Sequence, residues 1–194
     1  MSYNTDFDGI LLNLENISKN LKYPARIMVI GSLVGIFHGQ PGRMTEDVDV
    51  WRPGSDFDLG DFRHACELAD VPFDPKEYNA PKHLYIQMID PGIVHVGKYD
   101  NPDKMFRIGK LTVIRPPIEN VIASKMVRAS NQDMEDVVYL MHHFNLSVDD
   151  VTVAVETLKD VCGGKLYDVA KDNMSLLYVM MTPNTILDDI PEIQ

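Results

Sequence analysis

The sequence is poor in positive charge: 18 Lys and Arg stand against 29 Asp and Glu, a formal net charge of −11. That balance excludes a wide basic surface for phosphate backbones and points to small nucleotides, metal ions or a basic protein partner. The two cysteines, Cys66 and Cys162, form neither a disulfide framework nor a zinc spacing, and both read as reduced, buried thiols. No apolar run approaches the roughly 20 residues of a membrane span. The first residues, "MSYNTDFD", are acidic and lack the basic segment and apolar core of a signal peptide, so the expected compartment is cytoplasmic, with no membrane contact. Also missing are a G-x-S-x-G elbow, a G-K-[ST] loop and a Rossmann glycine pattern.

What is present is enough apolar residue, 45%, to bury a core across 194 residues, so disorder is not expected. Phe7, Ile10, Leu11, Leu14, Ile17 and Leu21 recur at helical spacing, and Pro24 ends that helix. "ARIMVIG" follows as a strand closing on Gly31, then a short helix over 32–38 and the loop "GQPGR". "EDVDVW" alternates acid and apolar with the period of a half-buried strand. "SDFD" reads as a capping box, Ser55 with Asp58, opening a helix near 57–69. "HLYIQMI" reads as a strand, "GIVHV" as its hairpin partner across "DPG", and "KLTVI" as a further strand. Helical patterns then cover 117–129, 132–144, 147–160 opening on Ser147, and 165–180. The expected class is α+β: a mixed sheet with flanking helices and a helical C-terminal half. The expected division is an α/β core at 1–116, helices packed on it at 117–184, and an acidic tail at 185–194.

In "DVDV", Asp47 and Asp49 point to one face of their strand, about 7 Å apart at Cβ. Like charges so placed need water or a cation, which leaves a solvated edge strand or a site for one or two hard divalent ions. Gly31-Ser32, at a strand end, offers backbone N–H groups and a hydroxyl to a phosphate. Arg43 and Thr45, just upstream of the acids, supply a guanidinium and a hydroxyl to a phosphate or to the carboxylates. Lys125 falls on the apolar stripe of Ile118, Ile122, Met126 and Ala129, where it must snorkel or find an anion. Asp133 and Asp136 share a helix face, either to orient Lys125 or Arg128 or to serve as solvated, helix-starting charges.

Together these residues carry a resemblance. Gly-Ser, a spacer, then Asp-x-Asp in an apolar strand resembles the signature of the polymerase-beta-like nucleotidyltransferase superfamily. Arg43-Met44-Thr45-Glu46-Asp47-Val48-Asp49 is similar to the R-x-T-x-D-x-D of small bacterial nucleotidyltransferases of the AbiEii toxin kind. "IRPPIENVIASKMVRASNQDMEDVVYLM" resembles that group's second block, with Lys125 and an Asp-x-x-Asp helix. The two blocks cover residues 27–51 and 111–141. The resemblance implies Mg²⁺ (or Mn²⁺) on Asp47 and Asp49, an NTP whose triphosphate meets Gly31 and Ser32, and Lys125 on its phosphates. It also implies an RNA or protein acceptor and a toxin–antitoxin or phage-defence role, with a cognate protein partner. The superfamily commonly places a third carboxylate on a neighbouring strand. The corresponding strand here carries His95, read either as the base for the incoming hydroxyl or as the mark of a lapsed site that acts by binding a partner.

Overall fold

The computed structural model describes residues 5–75 and 83–182. The first helix, α1 (Phe7–Asn20), is capped by Asp6, whose carboxylate accepts from the Gly9 N–H. It ends before Pro24, and its freed chain end is held by Asp61, whose carboxylate accepts from the Lys22 and Tyr23 N–H groups. The chain then runs through β1 (Ala25–Met28), α2 (Ser32–Phe37), β2 (Asp47–Trp51) and α3 (Leu59–Leu68). After these come β3 (Tyr85–Ile89), β4 (Asp103–Ile108) and β5 (Leu111–Arg115). The helices α4 (Ile118–Met126), α5 (Asn131–Phe144), α6 (Val148–Glu156) and α7 (Gly164–Met181) complete the described chain. The class is α+β with a mixed sheet and a helical C-terminal half, as expected. The acidic segment expected at 185–194 lies outside the described residues.

The strands form an order β1-β5-β4 and a pair β2-β3. β1 runs parallel to β5, and β4 antiparallel to it. The two groups join where Val29 bridges Val50 and the Ile30 N–H donates to the Asp49 carbonyl at 3.1 Å. That join sets the end of β1, and therefore Gly31, beside Asp49.

Three expectations are corrected. "GIVHV" is not a strand, and β3 instead pairs in parallel with β2. The free edge a hairpin would have used is taken: the Ile86 N–H donates to Pro72 O and its carbonyl accepts from the Asp74 N–H. Residues 91–96 leave β3 through a turn at Gly92, whose φ is +95°. Second, β4, not anticipated from the sequence, forms a hairpin with β5 and is exposed or half-buried at every position. Its apolar residues are too few to show a strand period. Third, Asp58 alone caps α3, accepting from the Asp61 N–H. Ser55 serves the chain before it, accepting from the Met28 N–H and donating to the Trp51 carbonyl.

The core runs without a break from α1 (Ile10, Leu14, Ile17) through the strands (Ile27, Val48, Val50, Val113) into α4–α7 (Ile122, Met126, Leu140, Leu177). Burying side chains of this kind contributes about 1.5–3 kcal/mol each before entropy is counted. Cys66 and Cys162 are free and buried, and burial pushes the Cys66 thiol up to about 12. Trp51 packs with Met28, Ile30 and Ile114 in a smaller apolar cluster. Among the described residues no helix is long and apolar enough to cross a membrane.

Candidate functional site

Alternation along β2 buries Val48 and Val50 and leaves Asp47 and Asp49 half-buried on the opposite face. The Asp49 carboxylate lies over Gly31, where an added Cβ would sit 2.7 Å from Oδ2. Gly31 also holds φ +71°, a backbone region that side chains avoid, so the tight approach and the turn both require glycine.

A chain of hydroxyls supports the other acid. Ser32 Oγ donates to Thr45 Oγ1 at 3.2 Å, and Thr45 donates to Asp47 Oδ1 at 3.1 Å. The Tyr85 hydroxyl donates to Asp47 Oδ2 at 3.3 Å. β2 and β3 run in register, Asp47 beside Tyr85 and Asp49 beside Gln87. The positions flanking the acids on the adjoining strand therefore carry a phenol and an amide.

The two carboxylates repel one another. Burial, then the neighbouring Asp47 charge, push the Asp49 carboxyl up to about 7, against the pull of Lys125 and Arg128. Burial and Asp47 likewise push the Tyr85 phenol up to about 12.

The cations near the acids are already committed. Lys125, 7% exposed, donates to Asp136 at 2.8 Å and lies 3.4 Å from Asp133. Arg128 grips Asp133 through Nε and Nη2 at 2.6 and 2.8 Å. Arg43 grips Asp136 at 2.9 and 3.2 Å, and Gln40 donates to the same carboxylate at 2.8 Å. Asp136 is 1% exposed and is the hub of this network. Burial alone would raise the Asp133 carboxyl, but hydrogen bonds from Arg128 and Ser130 and the charges of Lys125 and Arg128 hold it well below the usual carboxylate range. Of the readings open for Lys125, the structure places it against anions. Arg43 meets neither Asp47 nor Asp49, and its guanidinium ties the 39–44 loop to α5.

Two cavities meet at Asp49. The larger, about 540 Å³, is lined by Gly31, Ser32, Arg43, Thr45, Asp47 and Asp49, with Lys125, Arg128, Glu46 and Glu135 among its other walls. The smaller, about 170 Å³, shares Gly31, Asp49, Lys125 and Arg128 and is otherwise lined by Ile30, Ile93, Val94, Val127, Ser124, Asp133 and His95. His95 thus stands in a loop instead of the strand expected for it, yet shares a cavity with Asp49. Sequence reasoning missed Gln40 and Tyr85, whose roles depend on contacts across 96 and 38 residues.

The residues fit a hard divalent cation. Asp47 and Asp49 offer carboxylate oxygens on one wall of the cavity, with the Ser32 and Thr45 hydroxyls beside them, and the two acids repel one another. Among the described residues no group of three or more His, Cys, Asp and Glu is placed to hold a metal. The protein side therefore offers two carboxylates, which suits magnesium because it keeps several waters and shares substrate phosphates.

No family model matches the chain, and no curated protein matches it. Among solved structures the chain is similar to an antigenic nucleotidyltransferase-like protein from Paracoccidioides brasiliensis. The likeness covers 87% of this chain and 95% of that one, at 14% identity and a TM-score of 0.46.

Proposed function

We propose that the protein is a magnesium-dependent nucleotidyltransferase, moving a nucleoside monophosphate from an NTP to a hydroxyl on RNA or protein. The observation that carries this reading is the Asp47–Asp49 pair on one face of β2, with Gly31 pressed against Asp49 in an open polar cavity. Asp47 and Asp49 would hold Mg²⁺ (or Mn²⁺), with Thr45 and Tyr85 fixing the Asp47 oxygens. When bound, the metal neutralises triphosphate oxygens and the leaving pyrophosphate. Gly31 and Ser32 would face those phosphates. Lys125 and Arg128, held by Asp133 and Asp136, would present positive charge on the wall of the same cavity. The resemblance to AbiEii-type enzymes extends the reading to the toxin of a toxin–antitoxin or phage-defence system with a cognate partner.

A second reading has its own observation. The adjoining strand offers Tyr85 and Gln87 where a third carboxylate would stand. A catalytically lapsed relative that binds a partner, antitoxin-like or regulatory, matches that vacancy of acid and the net charge of −11. One experiment separates them. Each labelled NTP is incubated with Mg²⁺, the protein and bulk RNA or lysate. Transferred label supports the transferase, and nucleotide binding without transfer supports the lapsed relative.

A further inference from the structure

The chain carries a net charge of −11, yet one corner of its surface is basic. α1 ends there, against the turn between β4 and β5. Ser18 Oγ donates to the Ile108 carbonyl at 2.6 Å and accepts from the Lys110 N–H at 3.1 Å. Lys19, Lys22, Arg107 and Lys110 are all exposed in this corner. Their side-chain partners are neutral. Lys110 Nζ donates to the Leu21 and Lys22 carbonyls at 2.7 and 3.0 Å. Arg107 Nε donates to the Gly109 carbonyl at 3.0 Å, and Lys19 Nζ to Asn16 Oδ1 at 3.4 Å. Among the described residues none of the four is paired with a carboxylate. Two acids border the corner. Asp61 spends its carboxylate on the Lys22 and Tyr23 N–H groups, and Glu15 stands one turn back on α1.

The end of α1 does not use up this charge. A helix C-terminus carries about half a negative charge, and Lys110 answers it through the two carbonyls it holds. N–H groups remain for an anion: both Nη groups of Arg107 and protons on the three lysines. Such groups bond phosphate oxygens strongly, the guanidinium with two donors at once. Beside them Tyr23 is 61% exposed. A protein partner would need an apolar centre to this surface, whereas Tyr23 is a lone ring among cations. Cations with an interleaved ring suit a single nucleic acid strand, phosphates on the cations and a base on the ring.

We propose that this corner docks a single-stranded polynucleotide, held through its phosphates by Lys19, Lys22, Arg107 and Lys110 with a base stacked on Tyr23. The net charge excludes a wide basic surface, and this one is narrow. It lies where β1 begins, since the Ala25 N–H donates to the Lys110 carbonyl at 2.9 Å. Gly31 follows at the far end of that segment, about 20 Å away at the rise of a strand. The surface is therefore separate from the cavity of Asp47 and Asp49. It needs neither metal nor NTP, so it goes beyond the transferase reading and does not depend on it.

The test uses the full chain and a fluorescent single strand of about 12 nucleotides, as RNA and as DNA of one sequence, without Mg²⁺ or NTP. Fluorescence anisotropy is read across a salt series. The expected slope of log K against log[salt] is about −3, because each phosphate contact on a single strand contributes about −0.7. Lys22→Gln and Arg107→Gln, both at exposed side chains, each take about 0.7 from that slope. Tyr23→Ala weakens binding about fivefold or more and leaves the slope unchanged. Lys165→Gln, at an exposed lysine on α7, changes nothing. Equal binding of RNA and DNA supports contact through the backbone alone. Binding of RNA alone supports the surface and names its source. No binding at low salt overturns the proposal, and so does an equal loss in Lys165→Gln, which marks diffuse attraction. A polyglutamate peptide that binds as tightly, with no loss in Tyr23→Ala, also overturns it, because the corner then fits an acidic protein. Strand binding without nucleotide transfer leaves the surface standing when the transferase reading falls, and transfer without strand binding does the reverse.

Discussion

Gly31 and Asp49 are shaped to each other: a Cβ at position 31 would lie 2.7 Å from Asp49 Oδ2. The carboxylate and the backbone turn occupy one another's space only because the side chain at 31 is missing. Strand β1 delivers the glycine and β2 the acid, through the hydrogen bond from the Ile30 N–H to the Asp49 carbonyl.

Gly31→Ala should therefore destabilise the fold and displace Asp49 at once. The backbone at φ +71° and ψ −146° costs about 1–3 kcal/mol for an L side chain, before the clash is relieved. Urea unfolding measures the first effect, and loss of the Mg²⁺·NTP-induced rise in Tm measures the second. An alanine variant as stable and as responsive as wild type would mean that the contact is not needed.

The acid pair makes a separate prediction. Asp47→Asn with Asp49→Asn removes a repulsion in the free protein, so the ligand-free Tm should hold or rise. The rise in Tm given by Mg²⁺ or Mn²⁺ with NTP should vanish, since that rise measures ligand bound to the native state. A double variant that keeps the full ligand-induced shift removes the metal assignment.

Lys125→Met tests the buried network. A methionine could satisfy the apolar stripe of α4, but it would leave Asp136 and Asp133 without a cation between them. Breaking a buried pair costs about 3–5 kcal/mol, and Arg43 and Arg128, which remain on the same carboxylates, place the expected loss at the low end of that range. Chemical denaturation of Lys125→Met, Asp136→Asn and the double variant should show strong non-additivity. Additive losses would dissolve the network into independent contacts.

A pH dependence follows from His38. Burial, then the Arg115 and His143 charges, lower its imidazole from the usual 6.5 to about 4, against a smaller opposing pull from Asp103. Phe144 and Tyr139 complete its surroundings, the ring packing on Phe144 and the Tyr139 hydroxyl donating to the His38 carbonyl. Its Nε2 is buried without a partner. Because the unfolded chain binds this proton more readily, stability is full above about pH 6.5 and falls as pH drops toward 4. His38→Gln should flatten that part of the Tm–pH curve. An unchanged slope would assign the acid sensitivity to other groups.

Much of the site was legible in the sequence because it depends on local period. Alternation put Asp47 and Asp49 on one strand face, and helical spacing put Lys125 on the packed side of α4. α6 opens on Ser147, as its sequence indicated, and the structure adds a capping box with Asp150 within that first turn. Whether Lys125 snorkels or finds an anion could not be read this way. Its anions arrive on α5, and Arg43 crosses 93 residues to share one of them.

What the sequence by itself determined is which side chains share a face, because backbone geometry fixes a period of two or of 3.6 wherever a segment is regular. Only the tertiary structure decided which edges pair and which charges meet. "GIVHV" has the composition of a strand, yet the edge of β3 it needed is filled by Pro72–Asp74, and so His95 lines the smaller cavity from a loop. β4 has almost no strand pattern, yet it pairs because β5 offers it a free edge. Backbone N–H and C=O groups are nearly alike in every residue, so their pairing is selected by the packing of the whole core.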